Sequence, residues 1–239
     1  MKKLTLISTA ALAAAIVAAP AAQAAPEQSL TVKLTKTKAS KKNPTTVGIT
    51  VDTGTLTQNA DGSKNTITSA KIDLPKGILL NYKYFPTCSD ATTCADSAPK
   101  SQVGTGTAAA RVDGVDYVAQ GKLTAFIGTG AQLFIRTQFS APAVIDEPLI
   151  GKVTTKSGAY SFGFTVPETL QMPLTDAYQQ IDSFKLNFGA KTIKKGSKKI
   201  GLVQLKTCTN KEYVFKGTFT FRDGSTTTAE DTITCKQAK

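Results

Sequence analysis

Short runs in which apolar and polar residues alternate follow one another along most of this 239-residue chain. One run sets Leu30, Val32 and Leu34 between threonine and lysine residues, which is the pattern of a strand with one buried face. Gly, Pro, Asn and Asp interrupt the runs about every ten residues, a spacing typical of all-β domains. No stretch carries the 3.6-residue apolar period of an amphipathic helix. The pattern therefore predicts an all-β protein.

The alternation predicts about twelve strands. They cover residues 30–35, 47–51, 67–74, 105–112, 117–127, 132–139, 149–154, 160–166, 181–188, 200–205, 213–222 and 225–234. Short helical turns are expected at residues 95–103 and 175–180. Parallel strands need crossover helices, which this pattern lacks, so a sandwich or a sheet closed on itself is favoured over a parallel sheet. We expect an antiparallel β-sandwich of the jelly-roll or immunoglobulin-like kind.

The C-terminal hairpin carries the clearest local signal. Four aromatic residues occupy one face of the strand at 213–222, and Asp223-Gly224 is a typical two-residue hairpin turn because both positions favour positive φ. With that turn, Lys216 lies opposite Asp231 and Phe219 lies opposite Thr228. An opposite-charge pair and an aromatic–threonine pair both favour this register.

The first 24 residues have the composition of a secretory signal peptide. Lys2 and Lys3 precede an Ala- and Leu-rich apolar run over residues 4–19, and Ala22-Gln23-Ala24 matches a small-x-small cleavage site. A membrane anchor is the alternative, but Pro20 and the alanine content of the run favour cleavage. We predict a signal peptide at 1–24 and no transmembrane segment after its removal. The product is expected to be secreted or held in the cell envelope.

Residues 25–239 are predicted to form the β-sandwich domain. A subdivision near 140–148 is the alternative, because Pro142, Pro148 and the acidic pair Asp146-Glu147 interrupt the strand pattern there. We favour one continuous sandwich.

Four cysteines in an exported chain predict disulfide bonds, and four cysteines allow three pairings. Sequence-local pairing, Cys88–Cys94 and Cys208–Cys235, is favoured because each pair brackets a turn-like unit. By the loop-entropy model these bonds contribute ~2.4 and ~3.6 kcal/mol. A metal site is the alternative, but the spacing lacks the Cys-x-x-Cys of zinc sites. No metal or cofactor is predicted.

The chain contains no histidine and no tryptophan. Without imidazole it cannot form a Ser-His-Asp or Cys-His nucleophile or a His-ligated metal site, and it has no ready general base near pH 7. Paired carboxylates, lysine or tyrosine would have to take that role. Composition therefore favours a non-enzymatic protein.

The excess positive charge is confined to two short segments without acidic residues. Apart from Lys2 and Lys3, 27 basic residues stand against 17 acidic ones, a net charge of +10. The first segment contributes Lys33, Lys36, Lys38, Lys41 and Lys42, and the second contributes Lys191, Lys194, Lys195, Lys198 and Lys199. These ten lysines account for the whole excess.

Clustered lysines of this kind are candidate binding residues for a polyanion such as an anionic cell-wall polymer or an acidic polysaccharide. The alternative is that they serve solubility and protect edge strands from pairing. Nucleic acid is not expected as a partner, because no aromatic residues are interleaved with the lysines, no recognition helix is present and the chain is exported.

Carboxylates and tyrosines support a second interpretation. Asp113 and Asp116 lie in a turn, Asp146-Glu147 forms a second carboxylate pair, and Tyr82 and Tyr84 stand near Cys88. Such residues could serve a carbohydrate-active enzyme or a neutral sugar-binding module. Asp-Gly turns and buried strand tyrosines are ordinary structural features, however, and the absence of Trp disfavours a sugar platform. Envelope binding through lysine is preferred.

Several motifs resemble a group of secreted β-rich proteins of high-GC Gram-positive bacteria. Ile72-Asp-Leu-Pro-Lys-Gly-Ile78 precedes Phe85-Pro-Thr-Cys88, Cys94 and Ser101-Gln-Val-Gly-Thr-Gly106, and the hairpin bracketed by Cys208 and Cys235 closes the chain. In that group Pro usually follows the second Cys, where this chain has Ala95. The resemblance implies an exported, disulfide-containing β-rich protein of unassigned function, and it implies no catalytic residues.

Overall fold

The computed structural model describes residues 25–57 and 61–238. The predicted signal peptide, residues 1–24, lies outside the described residues. Eighteen β-strands occur in the described ranges: Gln28–Leu34 (β1), Lys38–Ala39 (β2), Thr45–Val47 (β3), Ile49–Thr55 (β4), Ile67–Asp73 (β5), Ile78–Leu80 (β6), Gln102–Val112 (β7), Ala119–Gly128 (β8), Gln132–Phe139 (β9), Ile145–Lys156 (β10), Ala159–Thr165 (β11), Gln179–Phe188 (β12), Thr192–Lys195 (β13), Lys198–Gly201 (β14), Val203–Leu205 (β15), Glu212–Phe221 (β16), Thr226–Thr234 (β17) and Lys236–Gln237 (β18).

Helical structure in this part of the chain is limited to single turns. Two are α-helical, Cys94–Ser97 (α1) and Glu168–Gln171 (α2), and four are 3₁₀ turns, Gly62–Asn65, Tyr82–Tyr84, Pro99–Ser101 and Thr129–Ala131. Among the described residues no helix reaches the length and apolarity needed to cross a membrane.

Eleven strands form one continuous sheet in the order β1-β4-β12-β7-β8-β9-β10-β11-β5-β16-β17. Every neighbouring pair in this sheet is antiparallel. Three small sheets flank it: β3-β15-β6, the β13-β14 hairpin, and the parallel pair β18-β2. The long alternating runs thus form the main sheet, and the short strands form the additions.

The main sheet folds over on itself, so that its two halves face each other across the core. The rings of Phe162 in β11 and Phe188 in β12 stack with centroids 6.3 Å apart, although five strand-to-strand steps separate the two strands in the sheet order. The two edge strands also meet, because the Val32 amide in β1 donates a hydrogen bond to Asp231 Oδ2 in β17 at 2.6 Å. The layers are packed through their alternating apolar faces.

Strand β16 shows how the alternation produces the core. Tyr213, Phe215, Phe219 and Phe221 are at most 2% exposed, while most of the residues between them face outward. The phenol of Tyr213 donates to the Thr207 carbonyl at 2.8 Å, so the one polar atom on this aromatic face has a partner.

Both predicted disulfides are present. Cys88 is bonded to Cys94 and Cys208 to Cys235, with Cα–Cα separations of 5.6 and 5.9 Å. The predicted fold class, an all-β antiparallel sandwich with two local disulfides, is confirmed.

The register predicted for the C-terminal hairpin is wrong by one residue. Lys216 pairs with Glu230 rather than Asp231, and Phe219 pairs with Thr227 rather than Thr228. The loop has three residues instead of two: the amide of Phe221 donates to the Ser225 carbonyl at 2.9 Å. Gly224 takes φ +81° at the last loop position. A three-residue loop ending in a left-handed residue is the next most common hairpin connection, and it shifts every cross-strand partner by one.

One predicted helical turn is also misplaced. Residues 175–180 form no helix, and Gln179 already belongs to β12. The turn lies upstream at α2, where Pro167 precedes the first helical residue. The turn expected within 95–103 is confirmed in outline, since α1 and the 3₁₀ turn Pro99–Ser101 occupy 94–101. The segment 140–144 links β9 to β10, which are neighbours in the main sheet, and the single continuous domain over residues 25–239 stays a prediction.

Candidate polyanion-binding surface

The strand register brings both lysine segments to the same end of the main sheet. Leu34, the last residue of β1, pairs with Ile49 at the start of β4, and Phe188, the last residue of β12, pairs with Ile49 from the other side. The two segments thus leave the sheet two strands apart, a distance of about 10 Å at the usual strand spacing. We call this end, with its ten lysines, the lysine end.

The two segments approach the same glycine as they leave the sheet. Gly48 donates from its amide to Thr35 Oγ1 at 2.9 Å and accepts from the Thr35 amide at 3.1 Å. A Cβ atom on Gly48 would lie 3.1 Å from Thr35 Cγ2 and 3.3 Å from the Ala190 nitrogen. Lys36 and Lys191 are the next residues along the chain. The absence of a side chain at Gly48 therefore allows the two segments to pack together.

The second segment forms the β13-β14 hairpin, in which lysines face lysines. Lys194 pairs with Lys199 and Lys195 pairs with Lys198, and all four side chains are exposed. Like charges directly opposite each other destabilise a strand pair. The hairpin base is closed by the Leu202 amide, which donates to the Lys191 carbonyl at 2.9 Å.

The ring of Tyr84 contacts the β13-β14 hairpin through Lys195. The Lys195 ammonium lies 4.5 Å from the centroid of the Tyr84 ring, and the Lys83 ammonium lies 5.4 Å from it. Such contacts attract a cation to the face of an aromatic ring. Tyr82 lines an interior cavity instead. The two tyrosines proposed as a sugar platform thus contact lysine or the interior, and they do not form a shared bare aromatic face.

The first segment is held down by pairing with the chain terminus. Lys38 in β2 pairs with Lys236 in β18, and the Ser40 amide donates to the Leu205 carbonyl at 3.2 Å. Lys41 and Lys42 follow in an exposed loop. The backbone of this segment is therefore fixed while its ammonium groups face solvent.

Three further exposed lysines, Lys83, Lys206 and Lys236, lie at the lysine end, and sequence reasoning missed them. Lys206 and Lys236 stand close to Cys208 and Cys235, whose disulfide holds the two chain segments together. The predicted cysteine pairing could have revealed their proximity. Lys83 lies at this end through its contact with the ring of Tyr84, and no sequence pattern predicts that contact.

The ten lysines lack partners of opposite charge. Within the described ranges none of them forms an ion pair, and the Lys191 ammonium donates instead to the Gln102 carbonyl. Ion pairs formed by other basic residues in the described part of the chain include Lys71–Asp73, Arg111–Asp182, Arg136–Asp146, Lys185–Asp52, Lys216–Glu230 and Arg222–Glu168. The charge of these ten lysines is therefore not neutralised by acidic side chains of the described residues.

The candidate carboxylates are placed apart from the lysines. Asp113 and Asp116 lie in the exposed connection between β7 and β8, at the opposite end of the sheet from Gln102. Asp146 accepts from Arg136 Nε at 2.6 Å and from Gln138 Nε2 at 3.1 Å, and the Arg136 hydrogen bond holds the pKa of the Asp146 carboxyl below its usual range. Asp146 is thus engaged in an ion pair. In residues 25–57 and 61–238 no group of three or more His, Cys, Asp or Glu side chains could hold a metal ion.

The disulfides also lie at the lysine end. The backbone of Cys88 pairs with that of Gly128, the last residue of β8, in an isolated parallel β-bridge. The Cys88–Cys94 disulfide packs against Phe126 and Phe134. Disulfide bonds are typical of proteins in oxidising compartments, so the two bonds point to an extracellular location.

Comparison with known proteins adds little to this description. No family model and no curated protein matches the chain. Among solved structures, a match is the T6 backbone pilin of serotype M6 Streptococcus pyogenes, described as having a modular three-domain structure, with 11% sequence identity and a TM-score of 0.32. The alignment covers 87% of this chain and 36% of the pilin chain, so this chain spans about a third of that protein's length. At this level of similarity function has to be argued from the chain's own residues.

Proposed function

We propose that this chain is a non-enzymatic protein of the cell envelope that binds an anionic cell-wall polymer through the lysine end. The observation that carries the proposal is the pairing of Lys194 with Lys199 and of Lys195 with Lys198. Charge repulsion across a hairpin weakens it, and an anionic chain lying along the hairpin would remove that repulsion. A hairpin that served only to protect an edge would not need lysines opposite one another.

The type of basic residue indicates how such binding would work. All ten candidate residues are lysines, whose ammonium groups act as point charges and lack the bidentate geometry of arginine. We therefore expect weak, salt-sensitive binding that depends on the charge density of the polymer and little on its sequence or sugar composition.

We also propose membership in the group of secreted proteins of high-GC Gram-positive bacteria. Its motifs fall on distinct structural features of this chain. Pro75-Lys76-Gly77 forms the connection from β5 to β6, Cys88 and Cys94 form a disulfide, and 102–106 begins β7. These positions support the resemblance through backbone and disulfide constraints. A signal peptide removed before Ala25 is part of the same proposal, and the mass of the mature secreted protein tests it.

Sedimentation with purified cell wall tests polymer binding. The hairpin variant replaces four lysines by glutamine: Lys194, Lys195, Lys198 and Lys199. The control variant makes the same change on the outer faces of other strands: Lys71, Lys122, Lys185 and Lys216. We expect the bound fraction to fall with salt and to fall far more in the hairpin variant than in the control. On a flexible polyanion each lost contact reduces the salt slope by ~0.7, so four contacts reduce it by about 3.

Two results would overturn the proposal. Binding that is unchanged at high salt would indicate a neutral sugar site, which would then be expected to depend on Tyr82 or Tyr84. Equal loss in the hairpin and control variants would show that only net charge matters. Turnover of a polysaccharide that disappears in Asp113→Asn or Asp116→Asn would support the enzymatic alternative instead.

A further inference from the structure

A cavity of about 100 Å³ lies between the two halves of the folded sheet. Its lining is almost entirely apolar and includes six phenylalanines, Phe139, Phe162, Phe164, Phe184, Phe188 and Phe219. Native interiors are close-packed and hold few voids larger than a water molecule. Water needs two to four polar partners to occupy a cavity, and an engineered apolar cavity of about 150 Å³ stays dry and takes up benzene or xenon. This cavity is therefore suited to an apolar guest.

Three polar residues line the cavity, Thr53, Thr137 and Gln179, and Gln179 carries the only amide among them. Its residue is only 4% exposed, it lines the cavity, and its side-chain amide forms no hydrogen bond within the described ranges. The buried glutamines Gln171, Gln180 and Gln204 each donate from Nε2 to a protein oxygen, at 2.8, 3.0 and 3.1 Å. The amide N and O atoms of Gln179 keep some accessible surface, because among the described residues the only fully buried side-chain N or O atom without a partner is Gln28 Oε1. A hydroxyl or carboxyl group on a bound molecule would supply the missing partner.

A second, smaller cavity of about 30 Å³ continues the first one. Both cavities are lined by Val51, Leu133, Phe162 and Phe188, so the stacked rings of Phe162 and Phe188, inclined by 5°, belong to both linings. The interior space runs along the strands, since Gln179 and Phe188 are at opposite ends of β12, about 30 Å apart at the usual rise per residue. A linear alkyl chain fits this shape better than a bulky ring system.

A short helix covers the Gln179 end of the larger cavity. Leu170 in α2 is buried and forms part of the lining. Arg222 Nη1 donates to Glu168 Oε1 at 2.8 Å and to Gln171 Oε1 at 3.0 Å, and the guanidinium carbon lies 5.1 Å from the centroid of the Tyr178 ring. One arginine thus holds the single helical turn whose Leu170 lines the cavity, and release of α2 would widen the access of a ligand.

We propose that this cavity is a binding site for a small amphiphile, an unbranched alkyl chain with one hydrogen-bonding head group that reaches Gln179. The alkyl chain lies among the phenylalanines and extends toward the Phe162–Phe188 pair, and the head group pairs with the Gln179 amide. The site goes beyond the polymer binding proposed above and is independent of it. Gln179 lies at the end of β12 opposite the lysine end.

Hexanol, hexane and hexanediol are suitable probes, because they share one alkyl chain and differ in the number of hydroxyl groups. A ligand that binds only the folded state stabilises it by RT ln(1 + L/Kd), where L is the free ligand concentration, so the melting temperature rises with ligand concentration. We expect hexanol to raise the melting temperature of the full chain and to shift the methyl signals of Leu133 and Leu149. Hexane should bind about tenfold more weakly, and hexanediol should not bind, because its second hydroxyl would be buried among apolar side chains.

Two kinds of variant locate the site. Ala108 lines the cavity, and Ala109 follows it in β7 and points to the other face, so Ala108→Leu fills the cavity and Ala109→Leu is its matched control. Ala70→Val fills the cavity from β5 if Ala108→Leu does not fold. Hexanol binding should be lost in the filled variant and kept in the control. In Gln179→Leu the affinity for hexanol should fall to that for hexane.

Equal hexanol binding by the filled variant and its control would overturn the proposal, as would the absence of any hexanol effect on the unmodified chain. Unchanged preference for hexanol over hexane in Gln179→Leu would refute the role of the amide. Loss of polymer binding in the hairpin variant has no bearing on these outcomes, so the two proposals fail separately.

Discussion

The carboxylate of Asp231 occupies the place that a backbone carbonyl would hold if β1 and β17 were paired in a ladder. It accepts from the Val32 amide at 2.6 Å and so satisfies a donor at the seam where the sheet edges meet. Edge strands with free amides are exposed to unwanted pairing. A single side chain thus links the two edge strands of the main sheet, β1 and β17.

We expect Asp231→Ala to lower the free energy of unfolding by about 1–3 kcal/mol, because it leaves the backbone donor of the buried residue Val32 unpaired. Glu230→Ala is the control. It removes only the exposed 3.5 Å ion pair with Lys216, which is worth at most about 1 kcal/mol. Chemical denaturation measures both, and equal effects would show that the seam does not depend on this bond.

Tyr213 gives the fold an alkaline limit. Burial raises the pKa of its phenol to about 12, against about 10 in an unfolded chain. The stability that depends on the neutral phenol is complete below about pH 10 and is lost as the pH rises toward about 12. Denaturation curves should show the stability difference between the native chain and Tyr213→Phe shrinking over this range. A constant difference would contradict the assigned titration.

At the scale of elements, the C-terminal hairpin shows what the sequence could and could not predict. Its aromatic face was evident from alternation, because burial of one face selects every second residue. Its register depended on a choice between two- and three-residue loops, and Asp223-Gly224 is compatible with both. The cross-strand pairs that favoured the shorter loop contribute only fractions of a kcal/mol each, less than the loop geometry does.

Gly224 is the residue on which that loop depends. It has φ +81°, and a Cβ atom added there would have no neighbour within 4 Å. A substitution would therefore cause backbone strain but no steric clash. Gly224→Ala should therefore destabilise the chain by about 1 kcal/mol. Gly189→Ala is the matched control, because Gly189 also has open space but no positive φ. Thermal unfolding measures both variants. A lower melting temperature in Gly224→Ala alone would indicate backbone strain, and equal decreases in both variants would contradict it.

The short strands could not be predicted from the sequence. β2, β3, β6 and β18 have two or three residues each, too few for a period of two to show. They form because the main sheet brings distant segments together, as when Val203 in β15 pairs with both Val47 and Leu80. The β13-β14 hairpin was hidden for another reason, since facing lysines are unfavourable in a strand pair.

At the scale of the whole molecule, charge and covalent links are concentrated at one end. Both lysine segments, both disulfides and the three small sheets lie where β1 and β12 finish and β4 begins. The sequence showed the two segments and the two local cysteine pairs. It could not show that the segments meet, because Thr35 and Ala190 both approach Gly48 only once the strand order is fixed.

The cavity between the two halves of the sheet could likewise not be predicted from the sequence. Phenylalanines at alternate positions indicate a buried face, but a void between two faces depends on how the halves of the sheet approach each other. The sequence pattern assigned Gln179 to a helical turn, and only its place in β12 reveals that the residue is buried beside the cavity.

The most direct test of polyanion binding at the lysine end is a nuclear magnetic resonance titration of the native chain with short-chain polyphosphate, followed at every amide. We expect residues 36–42 and 191–199 to shift together, with one shared concentration dependence that weakens with salt. Residues on the outer faces of other strands, such as Lys122 and Lys185, should stay unchanged. Separate concentration dependences for the two segments, or shifts scattered over every exposed lysine, would contradict the claim that the lysine end is one binding surface.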